Sequence, residues 1–271
     1  PSPNPAVAEI SFTEIMDLFL DIYESDTAFA FQGYDHELYP QYDFESQRDA
    51  VKKILRRMQE NPIHIPRVPA WATIEFINSI SKRSDISYAL CFADIIRFYH
   101  PEAKLPGYDF DFSDPENLLP DLIRTNKIYL LSNCSAPHPD KQAACELFQG
   151  QEMQGLEYSY LWVLSELYAR RKVPLATCIK MTSENAAKRM GLYPVKGSLD
   201  KGADADFVLY DPNGKFPHPS PDPHLEITGC FSSVYLRGEQ VAGTNFKTRR
   251  KGAFVPRHTN PKRRYNNTTW I

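Results

Sequence analysis

Residues 185–208 read NAAKRMGLYPVKGSLDKGADADFV, and the character of the chain changes within them. On their N-terminal side, apolar residues recur at helical spacing over 156–171 and 174–190, and Gly191 is positioned to end the second helix. Towards their C-terminal side come glycine and aspartate residues of the kind that form turns. The stretch therefore predicts a boundary between a helical region and a β-region.

Short runs of β-forming residues lie at and beyond this boundary. We predict strands at 197–199, 207–210, 233–236 and 240–241. Between the first two, we expect Gly202 to form a turn, with Asp204 and Asp206 holding the loop against the last helix. The predicted product is a small antiparallel β-element attached after the helices.

Towards the N-terminus, short apolar runs alternate with helical patterns. The runs predict strands at 28–31, 63–65, 86–92 and 128–131. Helices are predicted over 43–59 and 70–82, with a helical turn near 118–123 and a loop over about 100–116. This alternation predicts parallel strands joined by crossover helices, and four such units make half of an eight-stranded TIM barrel.

The fold class expected from these patterns is α/β, the C-terminal half of a TIM (β/α)8 barrel with a small C-terminal β-sandwich element. We divide the chain into a half barrel over 1–194, the β-sandwich element over 195–246, and a basic C-terminal arm over 247–271.

The boundary stretch resembles the end of the barrel in the cyclic amidohydrolases: dihydropyrimidinase or hydantoinase, dihydroorotase and allantoinase. In that family a helix reading N-A-A-K is followed by K-G-x-I and by G-x-D-A-D-x-V before a small β-sandwich. Weaker matches are VYLRG at 234–238, GAFVPR at 252–257, and SNCSAPH at 132–138, which resembles the S-D-H-A-P-H of dihydroorotase. The resemblance covers nearly the whole chain but only the second half of the barrel.

The resemblance implies two divalent metal ions, usually zinc, that activate water and polarise a ring carbonyl. At the matching ligand positions this chain has Gln32, Arg67 and Asn133. Glutamine and asparagine are weak neutral ligands, and Arg67 carries a fixed positive charge that would repel a metal ion. Asn133 also removes the carboxylate that the family is expected to use as a proton shuttle. We therefore predict no intact catalytic site, no metal site and no cofactor in this chain.

Four histidines and one cysteine are further candidate functional residues. His138 matches a substrate-contacting position in the dihydroorotase pattern, so we keep it as a candidate ligand contact. A histidine beside Cys134 could also indicate nucleophilic catalysis, although Cys134 replaces a histidine of that pattern. The alternating strand around His64 favours a buried core histidine, and His36 and His100 are predicted in loops without a partner at metal spacing.

Two functions follow from the resemblance. The first is a catalytically inactive subunit or domain with a structural, scaffolding or regulatory role in a larger assembly. The alternative is a metal-dependent hydrolase of the cyclic amide C–N bond in dihydropyrimidine, dihydroorotate, hydantoin or allantoin, whose metal site is completed by a missing half or a partner chain. The resemblance does not choose the branch of the family.

Charge and cysteine content bear on partners and location. The formal net charge is −3, yet 247–264 contains eight basic residues and no acidic residue. This arm either folds back onto its own acidic body or contacts an acidic partner; a nucleic-acid partner is not expected. Five widely spaced cysteines without a CxxC pair are typical of reduced thiols, so we expect a cytoplasmic protein. No apolar run approaches the length of about 20 residues that a membrane span needs.

The half barrel itself predicts association. Four parallel strands leave two unpaired edges, which are prone to pair with another chain. We therefore expect a homo- or hetero-oligomer formed through the strand edges at 28–31 and 128–131.

Overall fold

Four parallel strands form the larger sheet of the computed structural model, which describes residues 29–30, 43–57, 62–81, 85–102, 112–132, 156–215, 226–243, 253, 255 and 256. The strands are β1 (Phe29–Ala30), β2 (Ile63–Ile65), β3 (Ile86–Cys91) and β4 (Leu130–Ser132), in the spatial order β1-β2-β3-β4. Every pair is parallel, with His64 opposite Ser87 and Leu90 opposite Leu131. The predicted α/β class and the four parallel strands are confirmed.

Helices connect and cover these strands: α1 (Phe44–Arg57), α2 (Trp71–Ile80), α3 (Phe92–Tyr99) and α4 (Leu119–Arg124). All six residues of β3 are buried, as expected for a central parallel strand covered on both faces. Ile54 of α1 and Ile74 and Ile77 of α2 pack into the core with them. The core therefore lies between the sheet and these helices.

Helix α3 was not predicted. It begins at the residue after β3, and Cys91 serves as both the last strand residue and the N-cap. No glycine, proline or other turn residue separates the two elements, so the apolar run gives no sign of where the strand ends.

The two helices predicted over 156–171 and 174–190 are present, but each contains a wider π-helical turn. The first consists of α5 (Leu156–Val163) and π1 (Leu164–Arg170); the second consists of α6 (Leu175–Ile179), π2 (Lys180–Glu184) and α7 (Asn185–Arg189). Gly191 follows at a φ of 69°, a left-handed conformation that ends the helix as predicted.

Arg189, at the end of α7, fastens the amino ends of β2 and β3. Its guanidinium lies 2.7 Å from the Asp85 carboxylate and donates to the main-chain carbonyls of Asp85 and Ile63. The residue is only 6% exposed. The last helix is thereby tied to the sheet through two strands at once.

The smaller sheet is antiparallel and three-stranded, with β5 (Phe207–Asp211), β6 (Cys230–Leu236) and β7 (Glu239–Gly243) in sequential order. The predicted strands at 207–210, 233–236 and 240–241 are confirmed. The strand predicted at 197–199 is wrong: the hydroxyl of Ser198 donates to the Asp200 carboxylate and accepts from its main-chain N–H, which makes this segment a turn.

The loop between α7 and β5 is held by charge. Lys196 Nζ pairs with the carboxylates of Asp204, at 2.7 Å, and Asp206. Asp206 also accepts a hydrogen bond of 2.8 Å from the main-chain N–H of Arg237. Gly202 has a φ of 99°, as the predicted turn requires. The contacts agree with the holding role expected for both aspartates, and they join the loop to the β6–β7 turn.

Among the described residues, no helix combines the length and the apolar character that a membrane crossing requires.

Candidate functional site

The carboxyl ends of the parallel strands are where a sheet of this kind places its functional groups. Arg67 lies two residues beyond β2, Asp94 lies in the first turn of α3 directly after β3, and Ser132 is the last residue of β4. Because the strands are parallel and adjacent, these three positions lie together at the carboxyl-terminal end of the sheet.

Arg67 and Asp94 form a two-pronged ion pair. Nη2 of Arg67 is 2.9 Å from Oδ1 of Asp94, and Nε is 3.3 Å from Oδ2. The Asp94 side chain is fully buried, whereas that of Arg67 is 12% exposed. A guanidinium that donates two parallel hydrogen bonds to a carboxylate is strongly oriented as well as neutralised.

The backbone around Arg67 is fixed by side chains from two neighbouring elements. Gln47 of α1 donates from Nε2 to the Arg67 carbonyl at 3.0 Å. Ser132 of β4 donates from its hydroxyl to the Pro66 carbonyl at 3.1 Å. The backbone at Arg67 is thus held at the carboxyl-terminal end of the sheet by two separate hydrogen bonds.

Burial raises the pKa of Asp94 to about 7, an effect that outweighs the opposing attraction of Arg67. The thiol of Cys91 raises this pKa further, and Arg97 lowers it. The carboxyl group therefore exchanges its proton near neutral pH while it remains under Arg67.

Of the predicted site residues, only Arg67 falls within the described part of the chain. Gln32, Asn133, His138 and Cys134 lie outside the described residues, as do His36 and almost all of the basic arm over 247–271. Among the predicted metal-ligand positions, the structure therefore describes only the one after β2, Arg67.

His64 is a core histidine, as predicted. It is 8% exposed, and its Nδ1 lies 2.9 Å from the Ser87 hydroxyl on the neighbouring strand. Burial, together with the positive charge of Arg189, lowers the pKa of His64 to about 4. A neutral imidazole hydrogen-bonded within the sheet stabilises the pairing of β2 with β3.

His100 lies in a loop, as predicted, and it has two carboxylate neighbours that the sequence did not indicate. It follows α3, and its Nε2 lies 3.3 Å from Glu166 while its Nδ1 lies 3.6 Å from Glu102. Glu166 is fully buried in π1 and is also bound by Nη1 of Arg170 at 2.9 Å and Nε of Arg171 at 2.7 Å.

Although burial raises it, the nearby His100 and Arg171 hold the pKa of Glu166 below its ordinary range. Sequence reasoning missed both buried acids, Asp94 and Glu166. The available signal was an acidic residue inside an apolar helical run, at FADII for Asp94 and at LSEL for Glu166. In the second case two arginines follow four and five residues later.

The described residues do not fit the metal centre that the family resemblance implies. Among them, no group of three or more histidine, cysteine, aspartate or glutamate side chains is arranged to hold a metal ion. At the β2 position the side chain is a cation whose donors face a buried carboxylate. The arrangement neutralises a charge at the sheet edge and supplies no metal ligand there.

Residues 147–242 match the Amidohydrolase family. The D-hydantoinase of Streptomyces coelicolor is 37% identical over 93 residues, which are 30% of this chain and 20% of that relative. The allantoinase of Rubrobacter xylanophilus is 29% identical over 137 residues, which are 46% of this chain and 30% of the allantoinase. The crystal structure of dihydropyrimidinase from Brevibacillus agri superposes with a TM-score of 0.66 at 18% identity, covering 88% of this chain and 62% of the dihydropyrimidinase.

The chain thus spans less than two thirds of each of these proteins. At 18% identity the structural likeness shows the fold alone, that of the TIM-barrel amidohydrolases over the matched part. The family match spans α5 to β7 and does not reach Arg67 or Asp94.

Proposed function

We propose that this chain, which belongs to the cyclic amidohydrolase superfamily and is of the hydantoinase and allantoinase type, is a noncatalytic subunit or domain with a structural, scaffolding or regulatory role in a larger assembly. The observation that carries this proposal is the ion pair between Arg67 and Asp94 at the carboxyl ends of β2 and β3.

The charge of Arg67 opposes metal binding at the carboxyl-terminal end of the sheet. An unpaired guanidinium 4 Å from a divalent ion would be repelled by about 8 kcal/mol near a protein surface, and the carboxylate of Asp94 offsets part of this repulsion. Arginine does not lose its proton in proteins, so the site cannot relieve this repulsion by titration. Asp94, the buried carboxylate nearby, is already engaged by the guanidinium.

The open sheet supports the assembly part of the proposal. Each of β1 and β4 is hydrogen-bonded to a single neighbouring strand of the described sheet. More than a third of the matched dihydropyrimidinase has no counterpart in this chain. We infer that another polypeptide segment, on a second chain or on a longer version of this one, completes the barrel along these edges.

The second candidate function is hydrolysis of a cyclic amide by the completed assembly. It is favoured by the names of the relatives, D-hydantoinase and allantoinase, which are the whole proteins that this chain matches in part. In this case the completing polypeptide would have to supply the metal ligands, because Arg67 does not.

Metal analysis of the native assembly separates the two functions. The assembly is purified from its source without chelator, weighed by native mass spectrometry, and assayed with dihydropyrimidine, dihydroorotate, hydantoin and allantoin. We expect no bound divalent metal and no turnover, while a D-hydantoinase treated in parallel retains both. Two zinc ions per assembled barrel, with turnover that a chelator abolishes, would establish the second function instead.

A further inference from the structure

The turn after β5 contains the only asparagine–glycine pair in the sequence, Asn213–Gly214. Gly214 donates its main-chain N–H to the Asp211 carbonyl at 3.2 Å, and Asn213 donates its own N–H to Oδ1 of Asp211 at 2.9 Å. Proline at the second position, here Pro212, and glycine at the fourth are typical of a type I β-turn. The sequence and the hydrogen bonds therefore agree on a tight turn over residues 211–214.

The carboxamide of Asn213 is open to solvent. The residue is exposed, and among the described residues only its main-chain N–H takes part in a hydrogen bond. Asparagine is chemically labile, because the main-chain nitrogen of the next residue can attack its side-chain carbon and close a succinimide ring. Gly214 has no side chain to obstruct that approach.

The space around Gly214 admits no side chain. A Cβ at this position would overlap the sulfur of Cys230 and would also approach the Asp211 carboxylate. Cys230 lies opposite Asp211 at the end of the pairing between β5 and β6. The turn therefore cannot exchange its glycine for a larger residue without displacing Cys230, and the packing that requires glycine also leaves Asn213 open to attack.

Asn117, which is also exposed, provides the comparison. It is followed by Leu118, whose main-chain nitrogen donates to the Asp114 carboxylate at 3.0 Å. A hydrogen bond to a charged acceptor is stronger than one to a carbonyl. The corresponding nitrogen of Gly214 donates to a carbonyl at 3.2 Å, the upper end of the usual range. The attacking nitrogen is thus held more weakly after Asn213 than after Asn117.

We propose that Asn213 is a site of spontaneous main-chain modification, converted to isoaspartate through a succinimide. The nitrogen of Gly214 attacks Cγ of Asn213: the N–Cγ bond forms, the Cγ–Nδ2 bond breaks, and ammonia leaves with the proton of the attacking nitrogen. Water then opens the ring. Addition at the main-chain carbonyl carbon of Asn213 leaves the chain running through Cγ, which is isoaspartate, and addition at Cγ gives ordinary aspartate. Solvent water is the only co-reactant, and the reaction does not depend on the proposed assembly.

Isoaspartate would disturb the end of the smaller sheet. It lengthens the main chain of the turn and adds a carboxylate beside that of Asp211. The hydrogen bond from Gly214 to Asp211 closes the turn, and Cys230 leaves no room for a longer one. We therefore expect the pairing of Asp211 with Cys230 to open, with amide hydrogens over 228–232 exchanging at least threefold faster.

Peptide mapping of the folded 271-residue chain tests the proposal. The chain is incubated at mildly alkaline pH, digested with trypsin in oxygen-18 water to mark conversion during handling, and analysed by mass spectrometry with fragmentation that distinguishes isoaspartate from aspartate. Cleavage after Lys201 and Lys215 gives a peptide over 202–215, in which Asn213 is the only asparagine. We expect Asn213 to be converted at least tenfold faster than Asn117, with isoaspartate among the products.

Conversion of Asn213 no faster than that of Asn117 would overturn the proposal, because the turn would then protect the pair. Asn213→Gln keeps a carboxamide but would have to close a larger ring, so position 213 should stay unmodified in this variant. Modification of the variant at the rate of the unmodified chain would equally rule out the succinimide route.

Asn213→Asp separates the added charge from the lengthened main chain. When freshly prepared, this variant carries the carboxylate on an ordinary main chain, so its amide exchange over 228–232 should match that of the unmodified chain. Faster exchange in the isoaspartate form alone would support the expected opening of the sheet. Equal exchange in all three forms would contradict it.

Discussion

The charge state of Asp94 is set by two opposing effects. Removal from water favours the protonated acid, while the guanidinium of Arg67 favours the carboxylate. Since burial has the larger effect, the pKa of Asp94 is raised from 3.8 to about 7. The residue that orients Arg67 is therefore also a source of pH-dependent stability.

The sign of that dependence follows from proton linkage. A raised pKa means that the folded chain binds the proton more tightly than the unfolded chain, so the contribution of Asp94 is complete below about pH 4 and is lost as the pH rises to about 7. Each pH unit in this window should cost on the order of 1 kcal/mol. Urea unfolding at a series of pH values measures it.

Asp94→Asn serves as the control for this prediction. The amide keeps the shape of the side chain without the titration, so its unfolding free energy should vary less between pH 4 and pH 7 than that of the unmodified chain. A parallel pH dependence of the two proteins would contradict the assignment to Asp94.

At the residue scale, the sequence could predict Arg67 but not its partner. Family resemblance placed Arg67 at a former ligand position because the surrounding pattern aligns there. Asp94 lies 27 residues further on and meets Arg67 only because β2 and β3 are adjacent and parallel. That adjacency is a property of the folded sheet. The alternation around His64, by contrast, is local, and it predicted the burial of this histidine correctly.

At the scale of elements, π1 joins the two sheets. Its buried Glu166 binds His100 at the end of α3 on one side. On the other side, Arg170 of the same turn pairs with Glu226 at 2.7 Å, and the Ser165 hydroxyl donates to the Thr228 carbonyl at 2.8 Å. Both of these partners lie just before β6, so the wider helical turn connects the parallel sheet to the antiparallel one.

Glu166→Gln should destabilise the chain by about 2 kcal/mol, because it removes the charge from a fully buried acceptor that two partly exposed arginines, Arg170 and Arg171, bind. The pKa of Glu166 is held below 4.5, so its contribution is present above about pH 4.5 and is lost as the pH falls further. The difference between variant and unmodified chain should therefore shrink in acid. Thermal and urea unfolding at pH 7 and at low pH measure both effects.

Glu102→Gln is the matched control, because Glu102 approaches the same histidine from a side chain that is 49% exposed. Its effect should be small at either pH, since exposed ion pairs contribute little. If both substitutions lower the free energy of unfolding equally, the connection that π1 makes between the two sheets does not depend on the buried carboxylate of Glu166.

Elements were predictable where apolar residues recur at regular spacing and where turn-forming residues mark the ends. Strand β2 begins at Ile63, as predicted, where a short run of two isoleucines and a histidine is flanked by prolines. The π-helical turns were not predictable. They are only seven and five residues long, which is too short to show a spacing of apolar residues different from that of an α-helix. Residues 197–199 were predicted as a strand from a short local run, whereas the hydrogen bonds between Ser198 and Asp200 form a turn.

At the scale of the whole molecule, β1 and β4 should make the isolated chain associate, because each is paired on one side only within the described sheet. We expect concentration-dependent oligomers at micromolar concentration in analytical ultracentrifugation, because unpaired strand edges pair readily with other chains. A folded, monodisperse monomer under these conditions would contradict both this prediction and the proposed completion of the barrel.

Salt and truncation distinguish edge pairing from binding by the basic arm. Raising the ionic strength from 0.1 M to 1 M shortens the screening length from about 10 Å to about 3 Å and weakens contacts between exposed charges. Association through strand edges should survive this change and also survive deletion of residues 247–271. Loss in both cases would assign the association to the arm.

The contact of Arg189 with Ile63 has a consequence for synthesis. The two residues are 126 positions apart in the chain, so a ribosome adding about 5–20 residues per second needs about 6–25 s to make the stretch between them. Once β3 has been made, and for the rest of that interval, the nascent chain contains both strands without the guanidinium that binds their amino ends. We therefore expect the amino ends of β2 and β3 to remain hydrated until α7, the last helix of the described residues, has been made.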